Sequence, residues 1–270
     1  MPELPEVEVV RLTLAAKLIS LRILKVICSY PPIIEGELAL FKSKVEGRKI
    51  VDVQRYAKYL IFMLEDGAIL SHLRMEGKYF YTLDHTPISK HIHVIYELDN
   101  GYTLQYEDVR KFGRMEYKKI EEIYTTPPLC HVGMEANNTS QDVSLILEKF
   151  KKRNIPIKTT LLDQSILSGL GNIYVDEVLF RSKISPLRIA STLSRQEVLS
   201  ILECSQIILN TAIEHKGTTI RSYTSSLGVT GQYQEFLKVH TKKMCPVCGK
   251  SLEKQKIGGR TSYFCLSCQR

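Results

Sequence analysis

Two stretches of this sequence carry side chains whose types and spacing could do chemistry. The first is the opening "MPELPEVEVV", with Pro2, Glu3, Pro5 and Glu6. Removal of Met1, the usual processing ahead of a residue as small as proline, would leave Pro2 with a free secondary amine. An α-amino group has a pKa of about 8, far below that of lysine, so an appreciable fraction is unprotonated near neutral pH. Attack of that nitrogen on an aldehyde-type carbon gives a cationic iminium, an electron sink that supports elimination at adjacent carbons. Glu3 beside the amine could shuttle protons, and Glu6 could stabilise positive charge. A plainer reading stands next to this one: Glu6 suits a helix N-terminus whatever the chemistry, and Pro2 could be there by chance.

The second stretch is "CPVCGKSLEKQKIGGRTSYFCLSC". Cys245 and Cys248 form one two-residue-gap pair, Cys265 and Cys268 another, with sixteen residues between the pairs. Four thiolates at this spacing match a tetrahedral zinc with no open position, hence a structural one. So short a segment has little core of its own, and a metal must replace it. A pair of disulfides is the alternative, disfavoured in a reducing cytosol. The residues between the knuckles read as a hairpin with Gly258-Gly259 near its tip. Arg260 lies beside that turn, where a backbone can approach a duplex closely. Lys254, Lys256 and Arg260 suit phosphate contact; a solvated face is the bland reading for any single lysine.

These residues need elements to hold them. Residues 5–19 read as a helix: Pro5 suits a first helical position, and Val7, Val10, Leu14 and Leu18 repeat at helical spacing. From about 22 to 118 the pattern is that of strands, with hairpin signals at Asp66-Gly67 and Asn100-Gly101. Several such strands suggest a sandwich or barrel. Residues 124–141 are rich in turn formers and mark the boundary. Helices return over 142–216, where Ser194 and Glu197 make a capping box. Residues 217–235 lack a period and read as a long loop. The expected organisation is a domain over 1–135, a helical domain over 136–235 and a zinc finger over 236–270.

Net charge is +8, unevenly spread. Residues 1–135 hold 18 Lys/Arg against 19 Asp/Glu, while 136–270 hold 19 against 10. A basic half on a neutral half suggests a polyanion partner, although a lysine-rich soluble surface gives the same count. The apolar runs are too short to span a bilayer, and no signal peptide precedes the first acidic residue. The chain therefore reads as soluble and cytoplasmic. Cys28, Cys130 and Cys204 are scattered and read as small hydrophobes.

"PELPEVE" and "GGRTSYFCLSCQR" together resemble the bacterial formamidopyrimidine-DNA glycosylase family, whose wider group includes endonuclease VIII. "RYAKYLIF", "SHLRMEGKY", "DVRKFG" and "LLDQSILSGLGNIYVDEVLF" extend the resemblance in order along the whole chain. It implies an α+β, two-domain fold: an amino-terminal β-sandwich with flanking helices, then a carboxyl-terminal helix–two-turn–helix bundle and a four-cysteine zinc hairpin. It implies a monomeric base-excision-repair enzyme that flips an oxidised purine (8-oxoguanine or a formamidopyrimidine) out of duplex DNA, because C1′ is inaccessible in the stack. Pro2 would attack C1′, and the iminium would drive β- and δ-elimination.

By the same resemblance, Glu3 would donate a proton as the sugar ring opens, with Glu6 supporting. Lys58 and Arg260 would contact phosphates and donate protons in the eliminations. Met75, Arg110 and Phe112 would fill the void left by the flipped base, with Arg110 reading the orphaned cytosine. From the residues alone, Met75 and Phe112 read better as core and Arg110 as surface. His72, His91 and Asn172 would be further DNA contacts. Asn172 follows Gly169 and Gly171, whose bare backbones would let N–H groups meet a phosphate at a helix start. Glu76 would line the base pocket. Arg221 and Tyr223 would lie on a lesion-capping loop at 217–235. Two departures stand out: "HVGMEA" replaces the family's usual Gly-Pro-Glu-Pro linker, and His240 stands where a phosphate-contacting tyrosine is expected. Two other readings stay open: an endonuclease VIII-like enzyme for oxidised pyrimidines, against which Leu4 and the Met–Arg–Phe trio argue, and a non-catalytic zinc-ribbon DNA-binding protein.

Overall fold

A computed structural model of the chain describes residues 1–138, 142–218 and 231–270. It divides into two compact units. Met1–Pro2 and Glu6–Cys130 belong to the first; Glu3–Pro5, His131–Thr218 and Gln232–Arg270 belong to the second.

Helix α1 spans Leu4–Leu18, and from Glu6 onward it belongs to the first unit. Pro5 occupies its first turn, where the missing N–H has no intrahelical partner to lose. Val7, Val10, Leu14 and Leu18 are all buried in one apolar cluster, the outcome of their helical spacing. The strands are β1 (Ile23–Cys28) and, after helix α2 (Leu38–Val45), β2 (Ile50–Tyr56), β3 (Tyr59–Leu64), β4 (Ala68–His72), β5 (Lys78–Thr82), β6 (Ile92–Leu98), β7 (Thr103–Glu107) and β8 (Arg114–Lys118). They form two four-stranded antiparallel sheets, ordered β1-β6-β7-β5 and β2-β3-β4-β8. Val53, Phe62 and Ile69 from the second sheet share a core with Val94, Tyr96 and Tyr106 from the first, which makes the unit a β-sandwich. The Asp66-Gly67 turn joins β3 to β4, and Asn100-Gly101 joins β6 to β7 with Gly101 at φ +81°.

The second unit holds β9 (Met134–Glu135), α3 (Val143–Lys151), α4 (Ile157–Leu161), β10 (Leu167–Ser168), α5 (Asn172–Arg181), α6 (Arg195–Glu214), β11 (Glu253–Ile257) and β12 (Arg260–Phe264). Asp142 caps α3 by accepting from Ser144 N and Leu145 N. Ser194 and Glu197 form the expected capping box on α6. Buried Phe150, Leu161, Tyr174, Val178, Ile201 and Leu209 make the helical core. Met134–Glu135, inside the "HVGMEA" segment, pair in parallel with Leu167–Ser168. Strands β11 and β12 form a hairpin across Gly258-Gly259, both at positive φ, as a tight two-residue hairpin turn requires. Among the described residues, no helix is long and apolar enough to cross a membrane.

Candidate active site and metal centre

Helix α5 begins at Gly171, a cap residue with no side chain to offer its orphan amides. Glu3 supplies the missing acceptor. Its carboxylate, 2% exposed, accepts from Gly171 N at 2.6 Å, from Ile173 N at 2.9 Å and, longer, from Tyr174 N at 3.4 Å. Leu4 N donates to the Gly169 carbonyl at 3.0 Å. A Cβ on Gly171 would overlap the Glu3 carboxyl, and one on Gly169, which sits at φ +98°, would overlap the Leu4 side chain. The two glycines therefore exist to admit Glu3 and Leu4. This corrects the sequence-based expectation: the anion at this helix start is a carboxylate of the chain itself, and the amides of Gly171 and Ile173 are taken.

Asn172, the first residue of α5, donates through Nδ2 to the carbonyl of Thr261 at 2.9 Å. That acceptor fixes the amide orientation, since the reverse would set two oxygens together. Nδ2 keeps a second hydrogen for an incoming acceptor, while Oδ1 is buried with no hydrogen-bond partner among the described residues. Thr261 also accepts from Lys158 Nζ at 3.2 Å. Arg260, exposed at the start of β12, is its neighbour in sequence. Lys158 feels the charges of both Glu3 and Arg260. The second unit thus gathers Glu3, Asn172 and Arg260 around one buried lysine. His240 does not stand at a surface ready for a phosphate: it is 6% exposed, with Nδ1 on Asp176 at 2.8 Å.

In the first unit, Lys58 occupies the two-residue turn between β2 and β3, buried, after Ala57 at φ +53°. Arg55 holds that turn: it donates to the Ala57 carbonyl at 2.9 Å and is pinned by Glu8 of α1 at 2.7 Å. His72, the last residue of β4, is held neutral. Burial first, then Arg74 and Lys58, push its pKa down to about 3. Its Nδ1 accepts from Arg74 N at 2.9 Å, so the proton resides on Nε2, which can donate. Pro2 and Glu6 are buried, and Met75 and Glu76 are half-buried on the β4–β5 connection.

The segment 108–113, "DVRKFG", is a built loop. Asp108, fully buried, accepts from Arg110 N at 3.1 Å and Gly113 N at 2.7 Å. Its carbonyl accepts from Lys111 N at 3.2 Å and meets His93 Nε2 at 2.9 Å. A Cβ on Gly113 would overlap the Tyr106 hydroxyl, so only glycine closes the loop there. On it, Phe112 is 47% exposed, with the Arg110 guanidinium 4.8 Å from its ring centroid. The core reading of Phe112 is therefore wrong. An exposed phenylalanine carrying a cation on its face is suited to stacking on a base. His91, half-buried, contributes its backbone carbonyl to Asp108 N at 3.0 Å. Arg221 and Tyr223 lie outside the described residues.

The four cysteines Cys245, Cys248, Cys265 and Cys268 converge, with all Sγ atoms within 4.8 Å of one another. Two of the edges measure 3.8 Å (Cys245–Cys268) and 3.5 Å (Cys248–Cys265). A tetrahedron with Zn–S bonds of about 2.3 Å has edges of about 3.8 Å. Desolvation and the neighbouring thiols push Cys268 up to about 12, a conflict that a divalent cation removes by taking all four as thiolates. The site holds one structural zinc.

Asp108, Arg55, Glu8, Lys158 and Asp176 escaped the sequence reading. Only Asp108 left a local signal, an aspartate followed by a backbone-bonding turn that ends in glycine. Arg55 and Glu8 meet across 47 residues and Lys158 and Asp176 across 18, separations that no motif encodes.

Comparison with known proteins agrees along the full length. Residues 1–115 match the formamidopyrimidine-DNA glycosylase N-terminal domain, 132–224 its H2TH domain, and 242–270 the zinc finger found in FPG and IleRS. The chain is 43% identical over 272 residues to a formamidopyrimidine-DNA glycosylase of Lactobacillus helveticus, covering 100% of this chain and 99% of the relative. It is 41% identical to one from Streptococcus pneumoniae, with the same coverage. Among solved structures, the complex of Lactococcus lactis Fpg with DNA containing an abasic site matches with a TM-score of 0.93 at 36% identity, covering 99% of both chains. MutM in complex with DNA containing carbocyclic 8-oxo-G matches with the same score and identity, covering 100% of both.

Proposed function

We propose that this chain, which belongs to the formamidopyrimidine-DNA glycosylase family and is a DNA glycosylase of base excision repair, works through the nitrogen of Pro2. The secondary amine, exposed by loss of Met1, attacks C1′ of a nucleotide flipped from the duplex. The N–C1′ bond forms as the bond to the base breaks. The base leaves with the electron pair of its bond and is protonated from solvent; the Pro2 nitrogen gives up its proton to Glu3, and the sugar ring opens to the iminium as Glu3 returns that proton to O4′. Loss of a C2′ proton expels the 3′ phosphate, and a second elimination expels the 5′ phosphate, which makes the enzyme an AP lyase as well. The observation that carries this reading is the Pro2-Glu3 opening on a chain that matches the family from end to end, with Glu3 locked by three backbone N–H groups.

The substrate class is oxidised purines in duplex DNA. Phe112 and Met75 occupy the void, and Arg110 reads the opposite cytosine. Lys58, His72, Asn172 and Arg260 hold the backbone phosphates: His72 as a neutral donor through Nε2, Asn172 through its second amide hydrogen, and Arg260 from the zinc hairpin as a charged fork. Zinc supplies only the fold of that hairpin. His91, Arg221, Tyr223, Glu6 and Glu76 complete the assignment in supporting contacts. The protein acts as a monomer in the cytoplasm, on the nucleoid.

Borohydride trapping on a duplex bearing 8-oxoguanine opposite cytosine tests the reading, with loss of Met1 first verified by intact mass. A covalent adduct that disappears when Met1 is blocked from removal is the expected result. Absence of an adduct on protein shown to lack Met1 overturns the Pro2 mechanism. Stronger trapping on thymine glycol moves the substrate class to oxidised pyrimidines.

A further inference from the structure

We propose that His240 is a positioning residue for Arg260, acting through Asp176, so that it sets the grip of the zinc hairpin on a DNA phosphate. This rests on the reading of Arg260 as a phosphate contact.

Asp176 and Glu177 are consecutive residues of α5, both buried, and between them they fix the segment 238–240 and strand β12. The Glu177 carboxylate accepts from Lys238 N at 2.8 Å, Val239 N at 2.9 Å and His240 N at 2.8 Å, which sets the backbone under the imidazole. The ring itself is then placed by Asp176 Oδ2, 2.8 Å from Nδ1, and by an edge-to-face contact with the Tyr263 ring, centroids 5.2 Å apart. The same Oδ2 accepts from Tyr263 N at 3.3 Å, and Oδ1 accepts from Lys158 Nζ at 2.7 Å. Lys158 passes the constraint on to the Thr261 carbonyl, which Asn172 also holds. Strand β12 is thereby tied to α4 and α5 at Thr261 and at Tyr263. Arg260 precedes the first of those anchors.

The hairpin cannot supply this placement alone. Four of the five residues of β11 are exposed, and two short strands bury too little surface to orient themselves. The network is also sensitive to losing a member. Lys158 and Asp176 have side-chain exposures of 0% and 1%, and a buried pair is stable only while its remaining lone pairs are satisfied. Burial pushes the Lys158 pKa down, Asp176 and then Glu3 push it up, and Arg260 pushes it down. Without the imidazole, Oδ2 keeps only the longer Tyr263 amide; Asp176 then rotates, and the Lys158–Thr261 link loosens with it. His240 stands where the family resemblance implies a phosphate-contacting tyrosine, and here its ring faces inward onto Asp176.

The test is a salt titration of affinity for a duplex carrying a tetrahydrofuran abasic analogue opposite cytosine, read by fluorescence anisotropy. Each phosphate contact contributes about 0.9 to the slope of log K against log salt. Arg260→Gln lowers the slope by about one. His240→Phe keeps the ring against Tyr263 but cannot donate; it lowers the slope by at least half as much and weakens binding several-fold. His240→Asn, whose amide can donate to Asp176, restores the wild-type slope. In the double variant His240→Phe, Arg260→Gln, the slope equals that of Arg260→Gln alone. An unchanged slope in His240→Phe, or full additivity with Arg260→Gln, overturns the relay. An unchanged slope in Arg260→Gln overturns the phosphate reading beneath it as well. Zinc content is measured for every variant; if His240→Phe loses its zinc, His240→Leu against His240→Asn provides the same comparison.

Discussion

The carboxylate of Glu3 and the backbone amide of Gly171 meet at 2.6 Å across 168 residues of chain. A Cβ at 171 would occupy the place of the Glu3 carboxyl. Gly171→Ala should therefore leave α5 helical by circular dichroism yet displace Glu3. Displacement of a reacting group by about 1 Å costs about a hundredfold in rate, so single-turnover excision of 8-oxoguanine should slow by about that factor.

Glu3→Gln keeps the volume but turns an NH2 toward backbone N–H donors. One of the amides of Gly171 or Ile173 then loses its acceptor in a buried place. The expected cost is about 1–3 kcal/mol of stability by urea unfolding, on top of the loss of the proton transfer proposed for Glu3. A variant as stable as the parent would show that α5 does not depend on this cap.

Acid sensitivity has an identifiable source in His72. Its pKa is about 3 when folded, against an ordinary 6.5, so the unfolded chain takes up the proton first as pH falls. The stability this group contributes is complete above about pH 6.5 and is lost progressively toward pH 3. The urea midpoint of the parent should fall between pH 7 and pH 4 by more than that of His72→Gln. Parallel curves would contradict the assignment.

Chelation of zinc should unfold the hairpin and leave the β-sandwich in place. Apart from the zinc cysteines the hairpin packs only a small apolar cluster around Phe180 and Val239, whereas the first unit has a large core of its own. Affinity for the abasic-analogue duplex should drop steeply, and the metal-free protein should lose the salt dependence attributed to Arg260. Elemental analysis should return one zinc per chain before treatment.

Asp108→Asn sets an amide NH2 against the N–H of Arg110 or Gly113. The loop that projects Phe112 then loosens. Affinity for the lesion duplex should fall about tenfold, approaching that of Phe112→Ala, while affinity for undamaged duplex changes little. Equal losses on both duplexes would assign Asp108 to general folding instead.

Much of this site was legible in the residue order. The cysteine spacing, the Gly258-Gly259 tip, the Ser194–Glu197 box and the periodicity of α1 each obey a local rule, and each holds. From the residues alone Phe112 reads as core because hydrophobicity favours burial, while its exposure is imposed by Asp108 and by the space that Tyr106 denies at Gly113. Gly169 and Gly171 read as bare backbone for a phosphate to approach. What approaches is Glu3, and no pattern in a linear sequence links residue 3 to residue 171. The same holds for Lys158, Asp176 and His240, which come together only when α4, α5 and the segment after residue 231 are packed.

The bond between Glu3 and α5 also orders events in time. Pro2 and Glu3 are among the first residues to leave the ribosome, but the amides that fix Glu3 are made after residue 170. At about 5–20 residues per second, the amino terminus waits roughly 10–35 s for its partner. A chain that stops before residue 171 carries Pro2 and Glu3 without those amides. Synthesis through residue 174 is thus a condition for fixing Glu3, whatever follows it in the chain.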